Sequence, residues 1–160
     1  MKRLLIVWHS MTGGSEALAR AAHAGAGENA AQLLHANDTQ ADDMLGADGY
    51  LFVFPENLAA ISGVMKAFFD RAYYPCLGRV EGRPYALIVC AGSDGSNAVR
   101  QAERIATGWR LKKVADSIIV CTDAQTQETI LAPKTLSDVE LARAQDLGAT
   151  LAAGLAMGVF

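Results

Sequence analysis

The sequence predicts an α/β fold, a doubly wound five-stranded parallel sheet in the order 2-1-3-4-5 with helices on both faces. Three observations carry this. Apolar runs of strand length recur at residues 3–8, 31–35, 50–54, 85–90 and 118–121, and they are nearly continuous rather than alternating, as strands covered on both faces are. Segments with helical spacing follow each run, so that strand and helix alternate through the chain. Right-handed crossovers then wind the sheet in both directions from its middle. Ligands of such a sheet sit at the carboxyl ends of the strands beside the switch point, so the loops after strands 1, 3 and 4 are the places to search.

The run Leu4 to Trp8 meets His9, Ser10 and a glycine loop after only five residues, which reads as a first strand and not as a signal peptide. A helix over 15–24 follows. Residues 31–35 form a weaker strand, then a short helix over 42–45 leads to the strand at 50–54. In the helix expected over 62–73, Ile61, Met65, Phe68, Phe69 and Ala72 share one stripe while Lys66, Asp70 and Arg71 face away. The strand at 85–90 and a helix over 97–107 come next. After the last strand, residues 122–134 are the one long irregular segment, expected to run over the surface. Ser137 and Glu140 form a capping-box pair that opens a final helix reaching about Met157.

With 160 residues, 51% hydrophobic and 19% charged, the chain fits a single domain over 1–160 able to bury a real core. A net charge of −3 gives no reason to expect nucleic acid. The uncharged stretch from Leu147 onward is shorter than the roughly twenty apolar residues of a membrane span and is interrupted by glycines, so a helix end packed on protein is expected there, and no membrane. Cys76, Cys90 and Cys121 are odd in number and form no C-x-x-C pair. They suggest neither a disulfide framework nor a metal site, and point to the reduced thiols of a cytoplasmic protein.

The first candidate loop, His9 to Ser15, has the composition of an anion cradle. Gly13 and Gly14 let the backbone turn tightly and aim several N–H groups at one point, the start of a helix adds a favourable dipole, and Ser10, Thr12 and Ser15 supply hydroxyls. No Lys or Arg lies between Arg3 and Arg20, and neither a G-x-x-x-x-G-K-[ST] loop nor a G-x-G-x-x-G fingerprint is present. Nucleoside triphosphates and dinucleotides held by those motifs are thereby set aside. The second loop is Pro55 to Gly63, and the third is Cys90 to Asn97, whose Ala91, Gly92, Ser93 and Gly95 permit close approach of backbone to a flat ligand.

The stretch Ile6 to Ser15 resembles the phosphate loop of flavodoxins and their reductase relatives, which read S/T-x-T-G-x-T; Ser10, Thr12, Gly13 and Ser15 match it. Pro55-Glu56-Asn57, then Ser62-Gly63 and Phe68-Phe69-Asp70-Arg71, resemble the NAD(P)H-dependent flavin reductase and quinone reductase branch of that superfamily. The resemblance spans the whole chain. It implies one FMN, its phosphate in the loop Ser10, Met11, Thr12, Gly13, Gly14 and Ser15, and its ring edge read by the backbone of Pro55, Glu56, Asn57, Leu58 and Ala59. Side-chain contacts from Glu56 and Asn57 are a further expectation. Ala91, Gly92, Ser93 and Gly95 would border the other side of the ring.

Positions 55–63 and 91–98 hold no Trp, Tyr or Phe, so one flavin face stays open within a subunit. That favours a two-electron oxidoreductase in which NAD(P)H is the donor and a quinone or another small molecule the acceptor. The alternative is an electron carrier that docks on redox proteins. No side chain is required as acid or base, and none is nominated as catalytic. His9 is read either as a hydrogen-bond partner of the phosphate or ribityl chain or as a structural histidine. Arg100, Arg104, Arg110, Lys112 and Lys113 form either a docking strip for an NADPH phosphate or acidic partner, or a solvated face. Tyr73 and Tyr74 are placed near the flavin edge or as core-capping aromatics, and Trp109 as packing or as a reach toward a neighbouring subunit. A homodimer is compatible with the uncharged C-terminal stretch, since related reductases build their sites across subunits.

Overall fold

A computed structural model describes residues Met1–Phe160. Seven strands form the sheet: β1 (Leu4–Trp8), β2 (Ala31–His35), β3 (Gly49–Asn57), β4 (Ala60–Ile61), β5 (Pro84–Ala91), β6 (Lys112–Lys113) and β7 (Ile118–Cys121). The helices are α1 (Gly14–Ala26), α2 (Ala41–Gly46), α3 (Gly63–Cys76), α4 (Ser96–Gly108), α5 (Gln127–Leu131) and α6 (Asp138–Met157). The five long strands are parallel and lie in the order β2-β1-β3-β5-β7, which is the expected winding. Two short strands add to the expected five. β6 precedes β7 on the same edge of β5, and β4 folds back antiparallel on the far end of β3.

The continuous apolar runs follow from burial on both faces. Leu5, Val7, Phe52, Phe54, Leu87 and Val89 point into a core under α3 and α4, while Leu4, Ile6, Leu51, Val53, Ala86 and Ile88 point into a second core under α1 and α6. The third-helix stripe is buried as its spacing predicts, with Met65, Phe68, Phe69 and Ala72 against the sheet and Lys66, Asp70 and Arg71 exposed. α1 and α6 cross closely at Gly25 and Gly148, where an added Cβ would run into the backbone carbonyls of Gln145 and Ala22. The final helix opens on the Ser137/Glu140 capping box, and its uncharged end packs Leu147, Leu151 and Leu155 into the second core. No helix is long and apolar enough to cross a membrane.

Three local expectations change. The segment 122–134 runs over the surface but contains α5, whose start is capped by Thr126 and Thr129 and whose last carbonyls accept from Lys134 Nζ. Five residues are too few for a periodic signal. α3 passes Tyr73 and continues through Pro75 to Cys76, since a proline in a last turn forgoes a single backbone bond and Cys76 gains full burial. Because α3 runs antiparallel to the strands, Tyr73 and Tyr74 lie at the amino edge of the sheet, far from the candidate loops. There Tyr73 stacks on Trp109 at 5.5 Å, and Trp109 is fully buried with Nε1 donating to the Tyr73 carbonyl at 2.9 Å. Trp109 is therefore packing, out of reach of any neighbouring subunit.

Candidate functional site

The loops after β1, β3, β5 and β7 converge at the carboxyl edge, tied by specific bonds. Asn57 Nδ2 contacts Met11 Sδ at 2.8 Å, joining the first loop to the second. The second joins the third through Glu56, which accepts from Gly95 N–H at 2.9 Å and Ala98 N–H at 3.1 Å. Thr122 and Asp123 N–H donate to the Ala91 and Gly92 carbonyls, which brings the loop after β7 alongside. All three predicted clusters of site residues thus meet at one edge. The side chains of Glu56 and Asn57 are turned to α4 and Met11, so what they offer a ligand at this edge is main chain.

In the first loop Gly13 is the N-cap of α1 at φ 99°, a left-handed conformation that glycine adopts freely. Ser10 Oγ accepts from Gly13 N–H at 3.0 Å and keeps its own proton free to donate. The first bond of α1 is Ala17 N–H to the Gly13 carbonyl, so the N–H groups of Gly14, Ser15 and Glu16 precede it and open toward the loop. Ser15 Oγ is buried beside the Cys90 thiol and has no hydrogen-bond partner beyond that soft contact. A buried orphan hydroxyl costs free energy, and this one belongs to the first turn of α1, between residues whose N–H groups have no helical partner. A Cβ on Gly14 would stand 2.8 Å from Cys90 Sγ, so this position admits only glycine without displacement. These features fit a monoester phosphate. Burial pushes the Cys90 thiol up to about 11, which leaves it protonated and unreactive against the loop.

One contributor escaped the sequence reading. Lys134 donates its backbone N–H to the Thr12 carbonyl at 2.8 Å and lays its stem against Gly14, while its ammonium is spent on the carbonyls of Thr129, Ile130 and Ala132. The segment before α6 thus buttresses the first loop without adding a free cation to it. No local signal links residues so far apart in the chain.

His9 is buried at the end of β1, with Nδ1 2.8 Å from Ser62 Oγ and its ring edge-on to His35. It is a structural histidine that ties the first loop to the start of α3 through a side chain. Desolvation, reinforced by the neighbouring His35, lowers its pKa from the usual 6.5. The unfolded chain therefore binds a proton below pH 6.5 that the folded chain refuses, and stability falls as pH drops through that range. In urea titrations, His9→Gln is expected to flatten this decline below pH 6.5; an unchanged pH slope would assign it to other groups.

The β3–β4 turn presents the second loop. Asn57 pairs with Ala60, leaving Leu58 and Ala59 as a two-residue turn with φ of 52° and 60°. Positive φ at both central residues defines the type I′ hairpin, which favours Asn-Gly. Here two non-glycine residues occupy it, at a cost of about 1–2 kcal/mol each. Leu58 is fully exposed at the tip and Met11 is largely exposed across from it, giving the edge an aliphatic rim. Arg100 and Arg104 lie on the exposed face of α4, and Arg110 and Lys113 pair with Glu81 and Glu103. An open depression of about 510 Å³ lies at the opposite edge among Lys2, Asp48, Arg83 and Phe160, where Lys2 already pairs with Asp48. No group of three His, Cys, Asp or Glu side chains is placed to share a metal ion.

Residues 30–125 match the family model of the NADPH-dependent FMN reductases, a stretch that includes the hairpin and third loop and begins after the phosphate-type loop. The chain is 29% identical over 96 residues to a flavodoxin of Aquifex aeolicus (strain VF5), an alignment covering 58% of this chain and 50% of that protein. It thus spans about half the length of the curated relative it matches. Among solved structures it resembles a flavodoxin from the domain Archaea, with TM-score 0.79, 16% identity, and 96% and 99% of the two chains covered. A WrbA-like flavodoxin from Agrobacterium tumefaciens gives TM-score 0.76 at 16% identity, covering 98% of this chain and 99% of that one. A flavone reductase gives 0.75 at 19% identity, covering 98% and 63%. These structural likenesses show the flavodoxin-like fold; the family match covers more than half of the sequence, and the chain belongs to the NADPH-dependent FMN reductase family.

Proposed function

We propose that this chain binds one FMN at the carboxyl edge of its sheet and passes two electrons from NAD(P)H to a quinone or another small acceptor. The observation that carries the reading is the unpartnered, buried Ser15 Oγ in the first turn of α1, whose N–H groups are open. Ser10, Met11, Thr12, Gly13, Gly14 and Ser15 surround the phosphate, with the helix start supplying the favourable dipole. The backbone of Pro55, Glu56, Asn57, Leu58 and Ala59 offers alternating N–H and C=O groups to the pyrimidine edge of the ring, which itself alternates donors and acceptors. Ala91, Gly92, Ser93 and Gly95 border the other side. FMN, when bound, supplies the hydride chemistry. The chain's own residues fix its position and leave one face free, because the rim made by Met11 and Leu58 is aliphatic and carries no ring to cover it. A nicotinamide has room to stack there. A second copy of the chain could close the rim, in a homodimer with small-molecule partners and neither nucleic acid nor membrane.

A second reading, an electron carrier, is favoured by the flavodoxin relative at 29% identity. One measurement separates the two. Anaerobic addition of NADPH to the FMN-loaded protein is expected to bleach the visible flavin band within seconds. A band that persists until dithionite is added would make the protein a carrier, and a protein that takes up no FMN would end both readings.

A further inference from the structure

Two of the strand-to-helix turns at the carboxyl edge are built alike and used differently. Gly13 and Gly95 are both left-handed N-caps, with φ of 99° and 89°. In α1 the N-cap N–H of Gly13 is held by Ser10 and the N–H groups of Gly14, Ser15 and Glu16 stay open. In α4, by contrast, Asp94 takes Ser96 N–H and a carboxylate from β3 takes the N–H groups of Gly95 and Ala98. Glu56 accepts Gly95 N–H with one oxygen and Ala98 N–H with the other. Two more bonds join the same helix to the same hairpin: Asn97 Nδ2 donates to the Ala59 carbonyl, and Gln101 Oε1 accepts from Ile61 N–H at 3.0 Å. The hairpin held in this way is the one whose tip residues, Leu58 and Ala59, are left-handed without being glycine. Backbone strain of that kind persists only where the surroundings over-determine it.

We propose that Glu56 is a positioning residue whose carboxylate clamps the strained Leu58-Ala59 turn onto α4, and so holds the hairpin's main chain in the arrangement the flavin ring meets. The inference rests on the FMN reading above and assigns the Glu56 side chain to α4, not to the flavin. Glutamine at this position keeps the length of the side chain but has a single acceptor oxygen. Its amide turns a donor toward one of the two N–H groups, so half of the clamp becomes repulsive.

The test is a double-mutant cycle read by FMN titration of the apo-protein and by amide hydrogen exchange without ligand. Its members are the wild type, E56Q, L58N/A59G and E56Q/L58N/A59G. Asn-Gly takes positive φ at both turn positions with little strain, so a hairpin that carries it has little need of a clamp. E56Q alone is expected to bind FMN about tenfold more weakly and to exchange faster at Ile61, Gly95 and Ala98, the loss being that of one charge-assisted bond. In the Asn-Gly background the same substitution is expected to cost less than about twofold. An equal loss in both backgrounds would mean that Glu56 merely caps α4 or touches the flavin directly, and would overturn the proposal. So would E56Q that binds FMN like the wild type. If E56Q is too unstable to titrate, FMN binding by the triple variant within about twofold of L58N/A59G supports the clamp, and a larger loss there overturns it. A wild type that binds no FMN brings down the cofactor reading and this inference together, whereas a binding wild type with an unaffected E56Q removes the inference alone.

Discussion

Ser15→Ala is expected to raise the stability of the apo-protein while weakening FMN binding by roughly 10- to 100-fold, the worth of one hydrogen bond to a charged group. The two effects have opposite signs because the same hydroxyl is a liability in one state and a ligand in the other. Without a ligand, Ser15 Oγ is buried and unpartnered, and deleting it removes a desolvation cost of about 1–3 kcal/mol. Alanine is also the better helix former at this first-turn position. With FMN present, the proposed role of this hydroxyl is to donate to the phosphate, and its deletion is then expected to weaken binding. Riboflavin, which lacks the phosphate, provides the internal control, and its affinity is expected to stay the same. Equal weakening of riboflavin and FMN would place Ser15 away from the phosphate. Thermal melts of the apo-protein, with fluorescence titrations of the two flavins, read all three quantities.

The largest loss of stability is expected from Gly148→Ala, about 3 kcal/mol or more, which for a chain of this size lowers the melting temperature by roughly 6–12 °C. At Gly148 the added Cβ would fall on the carbonyl and Cα of Ala22, which are backbone atoms of the facing helix and have no rotamer to yield. α1 and α6 must separate, and the separation opens the core that Leu18, Ala22, Leu147 and Leu151 fill. Gly46→Ala is the matched control, since nothing lies within 4 Å of a Cβ there, and it is expected to change stability by less than about 0.5 kcal/mol. A Gly148→Ala protein as stable as this control would show that the helices can part at little cost. Ala22 lies about two turns along α1 from Ser15, and the folded protein that survives is expected to retain its FMN affinity.

Much of the fold was legible because each element is specified by its own residues. The strands 31–35 and 118–121 were bounded correctly and the others to within one to three residues, since continuous apolar runs are what two buried sheet faces demand. The Ser137/Glu140 box is a contact over three residues, and it formed as read. The β3–β4 hairpin was missed for the complementary reason. Leu58-Ala59 carries none of the Asn-Gly signal of its turn type, and its geometry is imposed by Asn97, Gln101 and Glu56. Arg83 gave no sign that its guanidinium would collect the carbonyls of Met44, Leu45 and Ala47 at the end of α2.

Taken by itself, the sequence determined the alternation of strands and helices, the winding of the sheet and the three loops at its carboxyl edge, because periodicity, capping and glycine placement act over a few residues. Only the tertiary structure decided how those loops are used. It brought Lys134 to the first loop, sent Glu56 to α4, tied His9 to Ser62 and buried Trp109 at the far edge. Each of these contacts joins residues at least 36 positions apart. Their pairing is selected by the packing of whole elements and by the need of every buried polar group for a partner, and neither is written in any one segment.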